Sequence, residues 1–222
     1  MVKVREVLFD LMRELGMTKI FGNVGSTEEP MLQNFPPDFE YILSLQESVA
    51  VAMADAYSQD TGKPVHVNLH SAAGSGNGMG NFQTAWYNRT PMIITAGQQV
   101  RATLVNEPYL TSKNPYLQAL PWVKWCCQPA CAEDIPAAFF RAYATAIMAP
   151  AGPVYLSLPT IFLGVVSILA YLRNRRSRLL FMTFAFFSLS VIEAMYLFDV
   201  SSNMEDIVIP GVDIEISHVI FW

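Results

Sequence analysis

The chain has 222 residues, a net charge of −5, and only 15% charged residues against 52% apolar ones. Soluble proteins carry about 25% charged residues, so this composition excludes a disordered chain and points to a membrane segment somewhere along it. The acidic balance argues against a nucleic-acid partner, which requires a basic face. Cys126, Cys127 and Cys131 cluster without a histidine or fourth cysteine at metal-ligand spacing. They read as structural thiols, not as a disulfide framework or a metal site.

Residues 1–5 lead straight into a helical pattern, so no cleaved leader is expected. Val4, Val7, Leu8, Leu11, Met12 and Leu15 recur at the spacing of a helix with one buried face, and Gly16 stops it. Lys19–Gly22 reads as a strand and 41–45 as a second. A helix is predicted over 47–59, a third strand over 64–69, and a helix over 74–87. Residues 91–96 form an apolar run without alternation, as expected of a strand covered on both faces. A helix over 135–148 and a strand over 153–158 complete the pattern. The alternation predicts an α/β fold: a doubly wound, mainly parallel sheet with helices on both faces. Ligands of such sheets lie at the carboxyl ends of the strands.

Three polar segments fall at those ends: Asn23-Val24-Gly25-Ser26, Gln46-Glu47, and His70-Ser71-Ala72-Ala73-Gly74-Ser75-Gly76-Asn77. Each has an ordinary reading by itself. A Gly-Ser pair is commonly a turn, a Glu opening a helix commonly meets the dipole, and a lone His is commonly structural. The glycine-rich stretch lacks the lysine and spacing of a phosphate loop. Together, three clusters at three successive strand ends converge in space.

Phe21-Gly22-Asn23-Val24-Gly25-Ser26, Leu45-Gln46-Glu47, residues 68–74 and Thr95-Ala96-Gly97-Gln98-Gln99 resemble the N-terminal pyrimidine-binding domain of thiamine-diphosphate enzymes, in its benzoylformate decarboxylase branch. Val123-Lys124-Trp125 and residues 149–157 continue the likeness, which covers about residues 3–159. Val24 stands where the family usually has proline, and 114–122 diverges where the family makes subunit contacts.

The resemblance implies thiamine diphosphate as cofactor and a 2-keto acid, aromatic by likeness, as substrate. It implies that Glu47 hydrogen-bonds N1′ of the aminopyrimidine, favouring the tautomer that removes the thiazolium C2 proton. His70 matches a histidine of proton transfer, and Ser26 a serine that holds the substrate carboxylate. Gly25, Ala73 and Asn77 lie where the family lines the pyrimidine pocket. The family's Gly-Asp-Gly motif, which binds Mg²⁺ and the diphosphate in a further domain, is not found in these 222 residues. The expectation is a half-site, completed by a homo-oligomer or by a partner chain carrying the diphosphate domain, and inactive alone.

From Thr160 the composition changes. Residues 161–172 carry no charge, 173–178 hold four arginines, and 179–198 form a second apolar run interrupted by Glu193. As a helix, 179–198 reaches about 30 Å, enough for a bilayer core, whereas 160–172 reaches only about 20 Å. A crossing at 160–172 would place the arginines outside, against the positive-inside rule. The expected organisation is therefore a cytoplasmic domain over 1–159 joined, as a chimera, to a hydrophobic, membrane-associated tail over 160–222 with one or two helices. Competing readings are a buried helix of a degenerate domain, a non-enzymatic remnant with a ligand- or partner-binding module, and a membrane protein with a soluble binding domain.

Overall fold

The computed structural model describes residues 3–99 and 101–159. The expected helices over 161–172 and 179–198, with Glu193 and the proposed join, lie outside the described residues. One compact unit comprises the chain up to Arg101 together with 109–159.

Among the described residues six strands form one sheet: β1 (Lys19–Gly22), β2 (Glu40–Leu43), β3 (Val65–Leu69), β4 (Met92–Gln98), β5 (Cys126–Cys127) and β6 (Val154–Pro159). Their spatial order is β2-β1-β3-β4-β6-β5, and every pairing is parallel. The helices are α1 (Val4–Glu14), α2 (Glu29–Leu32), α3 (Glu47–Thr61), α4 (Ser71–Tyr87), α5 (Pro115–Ala119) and α6 (Ile135–Ile147).

Strand periodicity sorts the core into two layers. Phe21, Val65, Val67, Leu69, Met92, Ile94, Ala96 and Tyr155 face Ala50, Val51 and Ala54 of α3 and Phe82 and Ala85 of α4. Ile20, Ile93, Val154 and Leu156 face Leu8, Phe9 and Met12 of α1 and Phe139, Ala142 and Ala146 of α6. The doubly wound α/β arrangement read from the sequence is thus present, with helices on both faces. Central β4 is buried along its whole length, which is why its sequence shows no alternation.

Local chemistry sets where the elements stop. After β2 the Ser44 hydroxyl donates to the Gln46 carbonyl at 2.6 Å. This turn ends the strand at Leu43, two residues before the predicted boundary. Gln46 then caps α3: its side-chain oxygen accepts from Ser48 N at 2.7 Å and Val49 N at 3.2 Å. Helix α4 begins at Ser71, three residues earlier than predicted, because the His70 carbonyl accepts from Gly74 N at 2.8 Å. Helices α2 and α5 and strand β5 have no counterpart in the sequence reading. Each is too short to show a period. No helix among the described residues is long and apolar enough to cross a membrane.

Candidate functional site

The chain leaves β1 toward β2 on one side, and β3 lies on the other. Connections from neighbouring β1 and β3 therefore part at their carboxyl ends and open a crevice, where such sheets bind ligands. The loop 23–28 after β1 and His70 after β3 meet there.

Their meeting is built on Glu28. This buried side chain accepts at Oε2 from Gly25 N (2.9 Å) and at Oε1 from Gly97 N (2.9 Å). The Thr27 hydroxyl also bonds to Oε1. His70 Nδ1 lies 2.9 Å from Glu28 Oε2 and 3.0 Å from Thr27 Oγ1. Both Glu28 oxygens act as acceptors and the Thr27 hydrogen is given to Glu28, so the proton on Nδ1 belongs to His70. That leaves Nε2 as the atom that gains and loses a proton, and it has no protein partner among the described residues. The hydrogen bond to Glu28 raises the His70 pKa above its ordinary value. Partial burial opposes the shift, and the charges of Glu28 and Glu47 add to it.

Two glycines make room for this cluster. A Cβ on Gly25 would overlap the His70 ring, and one on Gly97 would overlap the Glu28 carboxylate and Thr27. Gly25 therefore supports the histidine, a contact the sequence reading did not foresee.

Glu47 stands at the first position of α3, beyond the end of β2, and is 7% exposed. Asn23 Nδ2 donates to its Oε1 at 3.2 Å and Asn77 Nδ2 to its Oε2 at 3.1 Å. Neither hydrogen-bond donor is charged, and each oxygen keeps accepting capacity. The loop after β1 thus touches both candidate groups: Asn23 holds Glu47, and Gly25 and Glu28 contact His70.

Ser26 is exposed on that loop, and Ala73 is exposed on the first turn of α4. Asn77 is also exposed yet reaches Glu47. Glu47 is bonded to Asn77 and His70 packs against Gly25, while Ser26 and Ala73 carry no hydrogen bond to either acid or imidazole. Glu28 was missed by sequence reasoning. In Thr27-Glu28-Glu29-Pro30 nothing distinguishes buried Glu28 from its half-exposed neighbour Glu29.

Beneath the site a buried polar chain crosses the sheet. Tyr41 OH donates to Asn68 Oδ1 at 3.2 Å, and Asn68 Nδ2 donates to Thr95 Oγ1 at 3.1 Å. Thr95 Oγ1 lies 2.9 Å from His66 Nε2. Burial holds the His66 pKa down at about 3 and pushes the Tyr41 phenol up. His66 is therefore a neutral core histidine.

The thiamine pyrophosphate enzyme N-terminal TPP binding domain matches residues 2–114. The chain belongs to this thiamine pyrophosphate enzyme family. It is 47% identical over 159 residues to benzoylformate decarboxylase of Pseudomonas aeruginosa, covering 72% of this chain and 30% of the relative. It is 30% identical over 156 residues to the acetolactate synthase large subunit of Haemophilus influenzae, with 69% and 27% covered. Among solved structures, benzoylformate decarboxylase from Polynucleobacter necessarius is 56% identical with a TM-score of 0.70, covering 72% of this chain and 30% of that one. A thiamin diphosphate-dependent enzyme from Mycobacterium smegmatis is 55% identical with the same TM-score, covering 72% and 31%. The chain thus spans about 30% of the length of the relatives it matches. The cofactor of the thiamine pyrophosphate enzyme family is thiamine diphosphate. The donor set at Glu47 fits its aminopyrimidine: a buried carboxyl held by neutral amides retains capacity for a ring nitrogen.

Proposed function

We propose that residues 1–159 supply the pyrimidine half of the thiamine-diphosphate site of a 2-keto acid decarboxylase of the benzoylformate type. One observation carries this reading: Glu47 is buried at the first turn of α3 with both oxygens held by the neutral side-chain amides of Asn23 and Asn77. A shielded carboxyl group of that kind pairs with a neutral heterocycle that exchanges a proton with it. Bound there, the cofactor supplies the electron sink that lets carbon dioxide leave a 2-keto acid.

The chain's own residues then divide the work. Glu47 binds N1′ of the aminopyrimidine. Gly25, Ala73 and Asn77 line the ring, and Asn77 additionally fixes the Glu47 carboxylate. His70 presents Nε2 for proton transfer, with Nδ1–H anchored on Glu28. Ser26 offers a free hydroxyl to the carboxylate of the substrate, an aromatic 2-keto acid. Mg²⁺ and the diphosphate are held by a domain outside these 222 residues, reached through a second copy or a partner chain. The setting is cytoplasmic. A second reading, a binding module without catalysis on a chimeric, membrane-associated chain, rests on the change of composition at Thr160.

The test follows the side-chain amide signals of Asn23 and Asn77 by NMR in the full chain while thiamine diphosphate and Mg²⁺ are added. Both signals should shift, and in Glu47→Gln they should stay in place. Unmoved signals in the unmodified chain at millimolar cofactor overturn the reading. Purified chain alone should not turn over benzoylformate. Turnover that Glu47→Gln abolishes would place the whole site within these residues.

A further inference from the structure

Between the two halves of the site lies a residue with no assigned role. Ser71 opens α4 directly after His70 and six residues before Asn77. Its φ is 52°, in the left-handed region that a residue with a Cβ adopts only at a cost. The side chain is 1% exposed, and its hydroxyl has no hydrogen-bond partner. Serine thus brings neither conformational ease nor a hydrogen bond to this position. Glycine would take the same backbone without strain.

The surroundings hold the strained conformation in place. The Ser71 carbonyl accepts from Ser75 Oγ at 3.0 Å, and that hydroxyl lies 2.9 Å from Tyr155 OH on β6. On the near side, His70 is in extended conformation and directs its ring to Glu28 and Thr27. On the far side, α4 carries Asn77 to Glu47. The bend at Ser71 fixes the angle between strand end and helix, so one torsion sets both contacts. Strain retained by surrounding structure next to reactive groups is a recurrent feature of functional sites.

We propose that Ser71 is a positioning residue whose left-handed backbone simultaneously seats His70 on Glu28 and Asn77 on Glu47. The catalytic use of those groups rests on the reading given above, but the seating is a property of this chain and is measurable without cofactor or turnover. Failure of one is therefore distinguishable from failure of the other.

The experiment records histidine titrations by NMR in the full chain for Ser71→Gly, Ser71→Ala, Ser71→Val and Ser71→Thr. His70 faces Glu28 from the loop after β1 and Glu47 from α3, and their charges sustain its midpoint. Ser71→Gly accepts the left-handed torsion and should leave that midpoint in place. Ser71→Val rejects the torsion, because a branched side chain is excluded from it. It should return His70 toward about 6.5, the ordinary value, and release the Asn77 side-chain amide signal from its native position. His66 reports the fold, since it stays neutral while the core is intact. A folded Ser71→Val with an unmoved His70 midpoint overturns the proposal, and so does Ser71→Gly lowering the midpoint as far as Ser71→Val. Ser71→Ala keeps the Cβ that the native residue already holds in this torsion and should leave the midpoint in place. If Ser71→Val unfolds, Ser71→Thr, branched but nearer to serine in size, decides: a midpoint below that of Ser71→Gly supports the proposal, and equal midpoints overturn it.

Discussion

Glu28 Oε2 and His70 Nδ1 lie 2.9 Å apart, joining the loop after β1 to the end of β3 across the point where the strand order reverses. This pair selects the tautomer of His70 and aims its other nitrogen away from Glu28. Glu28→Gln keeps the shape but removes the charge. The His70 midpoint, measured by NMR, should fall, because the largest cause of its elevation is this hydrogen bond. The sign for stability follows. A histidine whose folded pKa is raised adds stability that is full below about 6.5 and is lost as pH rises through the folded value. An unchanged midpoint in Glu28→Gln would show that another group holds the proton.

Gly97 gives the same cluster its space. A methyl group there would occupy the position of the Glu28 carboxylate and Thr27. Gly97→Ala should destabilise the chain by about 1–3 kcal/mol, the usual cost of overpacking a tight interior, and should lower the His70 midpoint as well. Urea unfolding measures the first and NMR the second. A loss of stability with His70 unmoved would show that Glu28 relocates without releasing it.

Much of this was legible in the residues, for physical reasons. Strands β4 and β6 are buried on both faces and marked by apolar runs, whereas β3 places polar His66 and Asn68 between its valines and leucine. Strand β2 was read too long because Leu45 looks like its continuation. Leu45 is 95% exposed, beyond a turn closed by Ser44. Glu47 and His70 were legible as candidates because motif and strand end coincide. Glu28 was not, since its burial depends on amides from Gly25 and Gly97, the latter 69 residues away. Such long-range satisfaction leaves no local pattern.

Asn77 illustrates the same limit from the other side. Resemblance places it at the pocket wall, and the structure gives it a bond to Glu47. Asn77→Ala removes one of two donors from a largely buried carboxyl group. Stability should fall by about 1–3 kcal/mol, read by urea unfolding. Asn77→Asp, which sets a second carboxylate against Glu47, should cost more at neutral pH than at acidic pH. Equal costs at both would mean that the two carboxylates do not meet.

His66 should govern acid stability. It is wholly buried against Phe139 with one hydrogen bond, to Thr95, and its Nδ1 is unpartnered. Burial holds its pKa at about 3 in the folded chain, whereas the unfolded chain presents an ordinary histidine near 6.5. Between those values the unfolded state binds a proton that the folded state refuses. Stability is therefore full above about 6.5 and falls by about 1.4 kcal/mol for each pH unit below it. This slope is opposite in sign to that from His70, which acts above about 6.5, so the two histidines bracket the stable range from its two sides. His66→Gln cannot titrate but can still donate to Thr95. Its urea-unfolding free energy should lack the acid slope, and the gap to the unmodified chain should narrow from pH 6.5 downward. Parallel profiles for the two proteins would mean that His66 takes up its proton without unfolding, through water reaching Nδ1.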